Sequence, residues 1–143
     1  MKKVFLIALF LIGGITVSQA QISAGVNMLS SDTFVTIGTN PNAPFFGEGR
    51  ISTGGDIGIE LMGAYNFIQS ENVNFYAGLG LGIDDERNDK NDNDFYIGVP
   101  FGLLVKPFSA TRNFGIVLEA APIFPEDRGS YFRAGFGFKY TFN

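Results

Sequence analysis

The sequence has 143 residues, 10 Lys+Arg against 14 Asp+Glu, and no His, Cys or Trp. Without Cys there is no disulfide framework, zinc ribbon, thiol nucleophile or cysteine lipid anchor; without His there is no Ser-His-Asp triad, histidine metal site or histidine pH switch. The length allows one domain, with 19 Gly, 15% aromatic and only 17% charged residues, against averages of about 7% Gly and 25% charged.

In chain order, Met1-Lys2-Lys3 is a basic head, Val4 to Ile12 is an unbroken apolar run, and Ser18-Gln19-Ala20 places small residues where a signal peptidase reads. This is the three-part pattern of a bacterial secretory signal. The run is shorter than the roughly 20 residues of a spanning helix. Residues 1–20 are therefore expected to be cleaved, leaving 21–143 as the mature domain. Cleavage removes Lys2 and Lys3, so the mature chain keeps eight bases against 14 acids.

From Gln21 onward the dominant signal is alternation, the period of a β-strand with two unlike faces. Eight strands are predicted, at about 21–29, 33–39, 45–52, 56–68, 73–84, 94–107, 113–124 and 129–143. Residues 30–55 are the least regular, and the alternative is six strands with 30–50 as one loop. Val73, Phe75, Ala77, Leu79, Leu81 and Ile83 alternate with Asn74, Tyr76, Gly78, Gly80, Gly82 and Asp84. The last strand sets Phe132, Ala134, Phe136, Phe138, Tyr140 and Phe142 against Arg133, Gly135, Gly137, Lys139 and Thr141.

Both a water-facing sheet and a membrane barrel alternate. The small face here is Gly-rich, which weakens a solvated strand but suits a narrow lumen. A closing Ala at Gly80 is accordingly expected to crowd that lumen. The other face is rich in Phe, with aromatics near strand ends, as in the girdles of outer-membrane barrels. From 69–72 onward the connections alternate in length. That places loops 84–94 and 125–129 outside the cell, and turns 69–72 and 109–112, with both termini, in the periplasm. An open sheet edge is not tolerated in lipid, so the 21–29 strand is expected to pair with the last one. The fold class is thus all-β, an antiparallel up-and-down transmembrane β-barrel.

Three stretches resemble the small bacterial outer-membrane β-barrel proteins of the OmpA/OmpX-like and PorT-like type. They are Phe75-Tyr76-Ala77-Gly78-Leu79-Gly80-Leu81-Gly82, Tyr96-Ile97-Gly98-Val99-Pro100-Phe101-Gly102-Leu103-Leu104-Val105-Lys106 and the alternating aromatic end Gly135 to Phe142. The end resembles the signal read by the barrel-insertion machinery, except that Asn143 follows Phe142. The resemblance implies fold and location, with outer-membrane lipid and that machinery as partners, and rather little about activity.

The 84–94 loop carries six acids and two bases. Asp89 to Asn93 superficially starts a calcium loop, but its sixth position is Asp94 and its twelfth Pro100, which excludes an EF-hand. The loop is read as a solvated segment and a candidate contact for a surface partner. Asp56, Glu60, Lys106, Glu119, Arg133 and Lys139 all fall on inward faces and are read as a lumen ion-pair network. No catalytic, cofactor-binding or metal residue is assigned, since no nucleophile or oxyanion loop accompanies the carboxylates. Nothing in the scattered bases of an acidic chain points to nucleic acid. The expected function is an integral outer-membrane barrel with a structural or surface-interaction role, neither an enzyme nor a general pore. The alternative is a secreted or periplasmic lipocalin-like barrel for a small apolar ligand, which needs the two faces exchanged.

Overall fold

The computed structural model describes residues 21–54, 57–85, 93–126 and 129–142. The expected signal segment, Asp56, most of the acidic loop and Asn143 lie outside the described residues. All regular structure among the described residues is strand: β1 (Ile22–Leu29), β2 (Thr33–Gly38), β3 (Phe45–Ser52), β4 (Ile59–Gln69), β5 (Val73–Asp85), β6 (Asn93–Gly98), β7 (Phe101–Val105), β8 (Phe114–Pro125) and β9 (Tyr131–Phe142).

Strands adjacent in sequence pair antiparallel, β6 with β7 excepted, and β1 closes the sheet on β9, with Ile22 opposite Phe142 and Leu29 opposite Gly135. Both β6 and β7 pair with β5 on one side and β8 on the other. They are two halves of one crossing, so the architecture is a closed up-and-down barrel of eight spanning strands. The strand expected over 94–107 is broken at Val99-Pro100. The weak second and third strands exist, and the six-strand alternative is overturned: β2 and β3 pair along Phe34 to Gly38 and Glu48 to Ser52.

Facing follows the alternation. Along β5 the side chains of Phe75, Leu79, Leu81 and Ile83 are exposed, while Asn74, Tyr76, Gly80 and Gly82 are buried. Along β9, Phe132, Phe136, Phe138, Tyr140 and Phe142 are exposed, and Arg133, Lys139 and Thr141 are buried. A bulge in β4 between Asn66 and Ile68 turns both Phe67 and Ile68 outward. This is the reverse of a lipocalin, whose apolar side chains face in.

Aromatic rings ride the exterior near both rims. At the end holding the termini, Phe45 pairs with Tyr65 at 4.7 Å and Phe108 with Phe114 at 5.8 Å between centroids. Phe95, Phe124, Tyr131 and Phe132 are exposed toward the other end.

The expected alternation of connection lengths does not extend to the N-terminal half. At the far end, the 30–32 connection closes tightly, with Leu29 N–H donating to Asp32 O at 3.0 Å. At the terminal end, residues 39–44 form a longer strap.

Candidate functional site

Inside a narrow barrel, large side chains fit only where the neighbouring strands offer small ones. Register provides that here. Tyr76 lies opposite Gly102, Tyr96 and Glu60 opposite Gly82, Glu119 opposite Gly102 and Gly135, and Lys139 opposite Gly25 and Gly115. A Cβ at Gly82 would run into the Tyr96 ring, and one at Gly102 would stand 2.6 Å from the Tyr76 ring. Gly80 is different: its Cβ would meet Glu60 at 3.5 Å, an ordinary contact. The crowding expected at Gly80 thus belongs to Gly82 and Gly102.

The space is filled by a charge network centred on Arg50, which is 1% exposed. Its Nη1 and Nη2 fork onto the two oxygens of Glu119 at 2.6 and 2.7 Å. Nε donates to Glu48 Oε1 at 2.8 Å, and Nη1 also reaches Glu60 Oε1 at 3.2 Å. A two-pronged guanidinium–carboxylate pair is among the stronger polar contacts a protein makes. Arg133 donates to Glu60 Oε2 at 2.8 Å, and Lys139 donates to Glu48 Oε2. Two tyrosines complete the acceptors: Tyr76 OH donates to Glu119 Oε2 at 2.6 Å and Tyr96 OH to Glu60 Oε2 at 2.7 Å. The Arg133 guanidinium also sits 5.1 Å from the Phe34 ring centroid.

Three glutamates therefore balance two arginines and a lysine, and the layer is formally neutral. Isolated charges would be prohibitively costly in this setting; paired and multiply hydrogen-bonded ones are tolerated. Apolar clusters flank the layer. Phe46, Met62, Ala64, Tyr76, Leu104 and Val117 lie toward the terminal end, and Tyr96, Ala121 and Ile123 toward the other. The side-chain amide of Asn27, the Thr36 hydroxyl and the Nε of Arg133 are buried with no hydrogen-bond partner within the protein.

At the terminal mouth the chemistry changes. The strap lies over the lumen, and Asn66 Nδ2 donates to Pro41 O at 2.8 Å and Ala43 O at 2.7 Å. Lys106 Nζ donates to Asn42 Oδ1, Ser70 O and Asn74 Oδ1 at 3.0–3.2 Å.

Of the inward charges expected from sequence, the structure gathers Glu60, Glu119, Arg133 and Lys139 into one network. Lys106 is inward too, yet it holds the mouth rather than joining that network, and Asp56 is outside the described residues. Glu48 and Arg50, the centre of the layer, were missed. Their signal is a spacing of two within Phe45-Phe46-Gly47-Glu48-Gly49-Arg50-Ile51-Ser52, the period of one strand face. Among the described residues, no group of three or more His, Cys, Asp and Glu is arranged to hold a metal.

A closed sheet with an apolar exterior and a filled polar interior defines a membrane-spanning β-barrel, since every backbone polar group must be satisfied within the protein. No family model matches the sequence, and a search of curated proteins gives no match. Solved structures do match. The N-terminal β-barrel domain of Pseudomonas aeruginosa OprF is 18% identical with a TM-score of 0.62, over 86% of this chain and 96% of that one. The Yersinia pestis outer membrane protein Ail, in a phospholipid bilayer nanodisc, is 14% identical with a TM-score of 0.54, over 87% of this chain and all of that one. At these identities the likeness is one of fold: the chain has the architecture of the small outer-membrane β-barrels.

Proposed function

We propose that the chain, after loss of residues 1–20, is an integral protein of the bacterial outer membrane with a structural or surface-interaction role, neither an enzyme nor a general pore. The observation that carries this reading is the lumen: among the described residues it is filled by a neutral, hydrogen-bonded layer of paired charges between two apolar clusters, packing that argues against a general pore. The exposed Phe and Leu face supports residence in lipid, where such surface is stable. The two fold relatives, one of them an outer membrane protein seen in a lipid nanodisc, support the same location.

In this reading both termini and the 39–44 strap face the periplasm, and the acidic 84–94 loop faces outward as the contact for a surface partner. Insertion relies on the aromatic last strand. The test is fractionation of expressing cells together with planar-bilayer recording of the purified barrel. The expected result is a detergent-requiring, heat-modifiable band in the outer-membrane fraction, cleaved at Ala20, with no stable conductance. A soluble periplasmic product would overturn the location, and steady ion conductance would overturn the sealed lumen.

A further inference from the structure

The break between β6 and β7 falls inside the Val99-Pro100 stretch. Register on both flanks is continuous across it: Gly98 faces Gly80 and Ile123, and Phe101 faces Ala77 and Ala120. Continuing that register places Pro100 opposite Gly78 and Val99 opposite Pro122. In an antiparallel ladder, residues in such hydrogen-bonded pairs exchange two bonds. Here each pair has one. Gly78 N–H donates to Pro100 O at 2.8 Å, and Val99 N–H donates to Pro122 O at 3.1 Å. The return bonds need an N–H on Pro100 and on Pro122, and proline has none.

Two consecutive residues of one strand have thus lost one bond to each neighbour, at mid-length of the crossing. Proline inside a central strand is rare for this reason. The lumen side gives the seam little reinforcement. Pro100 is fully buried, with Gly98 and Gly102 on either side along the lumen face. The charged members of the network stand on β3, β4, β8 and β9, whereas β5 and β6 are tied to it by the tyrosine hydroxyls of Tyr76 and Tyr96.

We propose that Val99-Pro100 is a lateral seam, the point at which the barrel wall between β5 and β8 opens first and about which the two halves of that crossing, β6 and β7, move separately. Local opening follows the distribution of wall bonds, and segments with fewer bonds open at lower cost than the global structure.

Residue-resolved hydrogen exchange of the full mature barrel in lipid nanodiscs tests this. The amides of Gly78 and Val99 are expected to exchange at least tenfold faster than those of Val117 and Gly137, a hydrogen-bonded mid-wall pair of the uninterrupted β8–β9 ladder. Equal or slower exchange at Gly78 and Val99 overturns the proposal. The double variant Pro100→Ala with Pro122→Ala returns both donors. It is expected to slow Gly78 and Val99 to the rate of the β8–β9 ladder while leaving that ladder unchanged. Unchanged exchange at the two amides in a folded variant also overturns the seam. Should the variant not fold, the comparison within the unaltered protein decides.

Discussion

The centre of the lumen and its terminal mouth are both polar, but they are held by different chemistry. At the centre, side chains from opposite walls meet one another: Arg50 of β3 forks onto Glu119 of β8, and Arg133 of β9 reaches Glu60 of β4. At the mouth, side chains meet backbone: Asn66 and Lys106 bind carbonyls of the strap and of the adjoining turn. The first arrangement fixes the cross-section of the barrel, because it ties strands far apart in the ring. The second closes one end and ties a loop. Charge is balanced carboxylate by cation in the buried centre, while a lysine among neutral oxygens suffices at the edge.

The contrast is broken most severely at Arg50. Arg50→Met leaves Glu119 and Glu48 buried without their central partner, and removing one side of a buried ionic group typically costs about 3–5 kcal/mol. Urea titration of the barrel in lipid vesicles should show a loss of that order at neutral pH. Protonated glutamates carry no charge to bury, so the deficit should shrink as the pH is lowered. A double variant, Arg50→Met with Glu119→Leu, should recover part of the loss, since it removes the most strongly held carboxylate along with the cation. A single variant as stable as the parent would mean that the centre contributes no more than the mouth.

Packing around the charges gives a second, smaller test. Gly82→Ala drives a methyl into the Tyr96 ring, whose hydroxyl holds Glu60, and overpacking of this kind costs about 1–3 kcal/mol. Gly80→Ala, two residues earlier on the same face, meets only ordinary contacts and should leave the midpoint close to that of the parent. Equal effects at both positions would show that lumen crowding is general rather than set by the tyrosine–glycine pairs.

These residues also show what could be read before any coordinates. Wherever an apolar face was continuous, as in β5 and β9, alternation marked the strand and its facing, and the inward charges Glu60, Glu119, Arg133 and Lys139 followed from the high cost of charge in lipid. In β3 the outward face is Phe45, Gly47, Gly49 and Ile51. Its two glycines interrupt the apolar signal, so the strand looked weak and its inward charges, Glu48 and Arg50, were passed over. Partnership was not legible at all. Which glutamate meets which cation depends on barrel tilt and closure, and Lys106 belongs to the mouth only because β7 ends beside it. One strand is expected over 94–107 despite Pro100, because a lone proline does not show what it faces; the weight of the break rests on Pro122 lying opposite Val99 across the ladder.

At the mouth itself, Asn66→Ala removes the two donors that hold Pro41 O and Ala43 O. The lost donors are neutral and the strap keeps its other contacts, so the loss should be about 1 kcal/mol. The strap should become the more sensitive segment: limited proteolysis from the terminal side should cut within 39–44 in the variant and spare it in the parent. Equal resistance would mean that the contacts left on Asn42, its N–H to Asn40 Oδ1 at 2.9 Å and the Lys106 ammonium on its Oδ1 at 3.1 Å, are enough to hold the strap.

The smallest effect is expected at the exposed pair beside the mouth. Arg112 Nη2 donates to Glu71 Oε2 at 2.9 Å, and this hydrogen bond, with the guanidinium charge, holds the Glu71 carboxyl below its ordinary value. A carboxylate whose pKa is lowered by folding adds stability above its unfolded pKa and loses it as the pH falls through the folded one. The pair's contribution should therefore be present at neutral pH and vanish in the acid range below the usual glutamate pKa. Solvent screens both groups, so Glu71→Gln should lower the urea midpoint at pH 7 only slightly, and variant and parent should converge in the acid range, where the pair's contribution is gone. In high salt the variant and the parent should coincide at every pH. A clear loss at pH 7 would instead join this pair to the strap, making the mouth a charge-held structure like the centre.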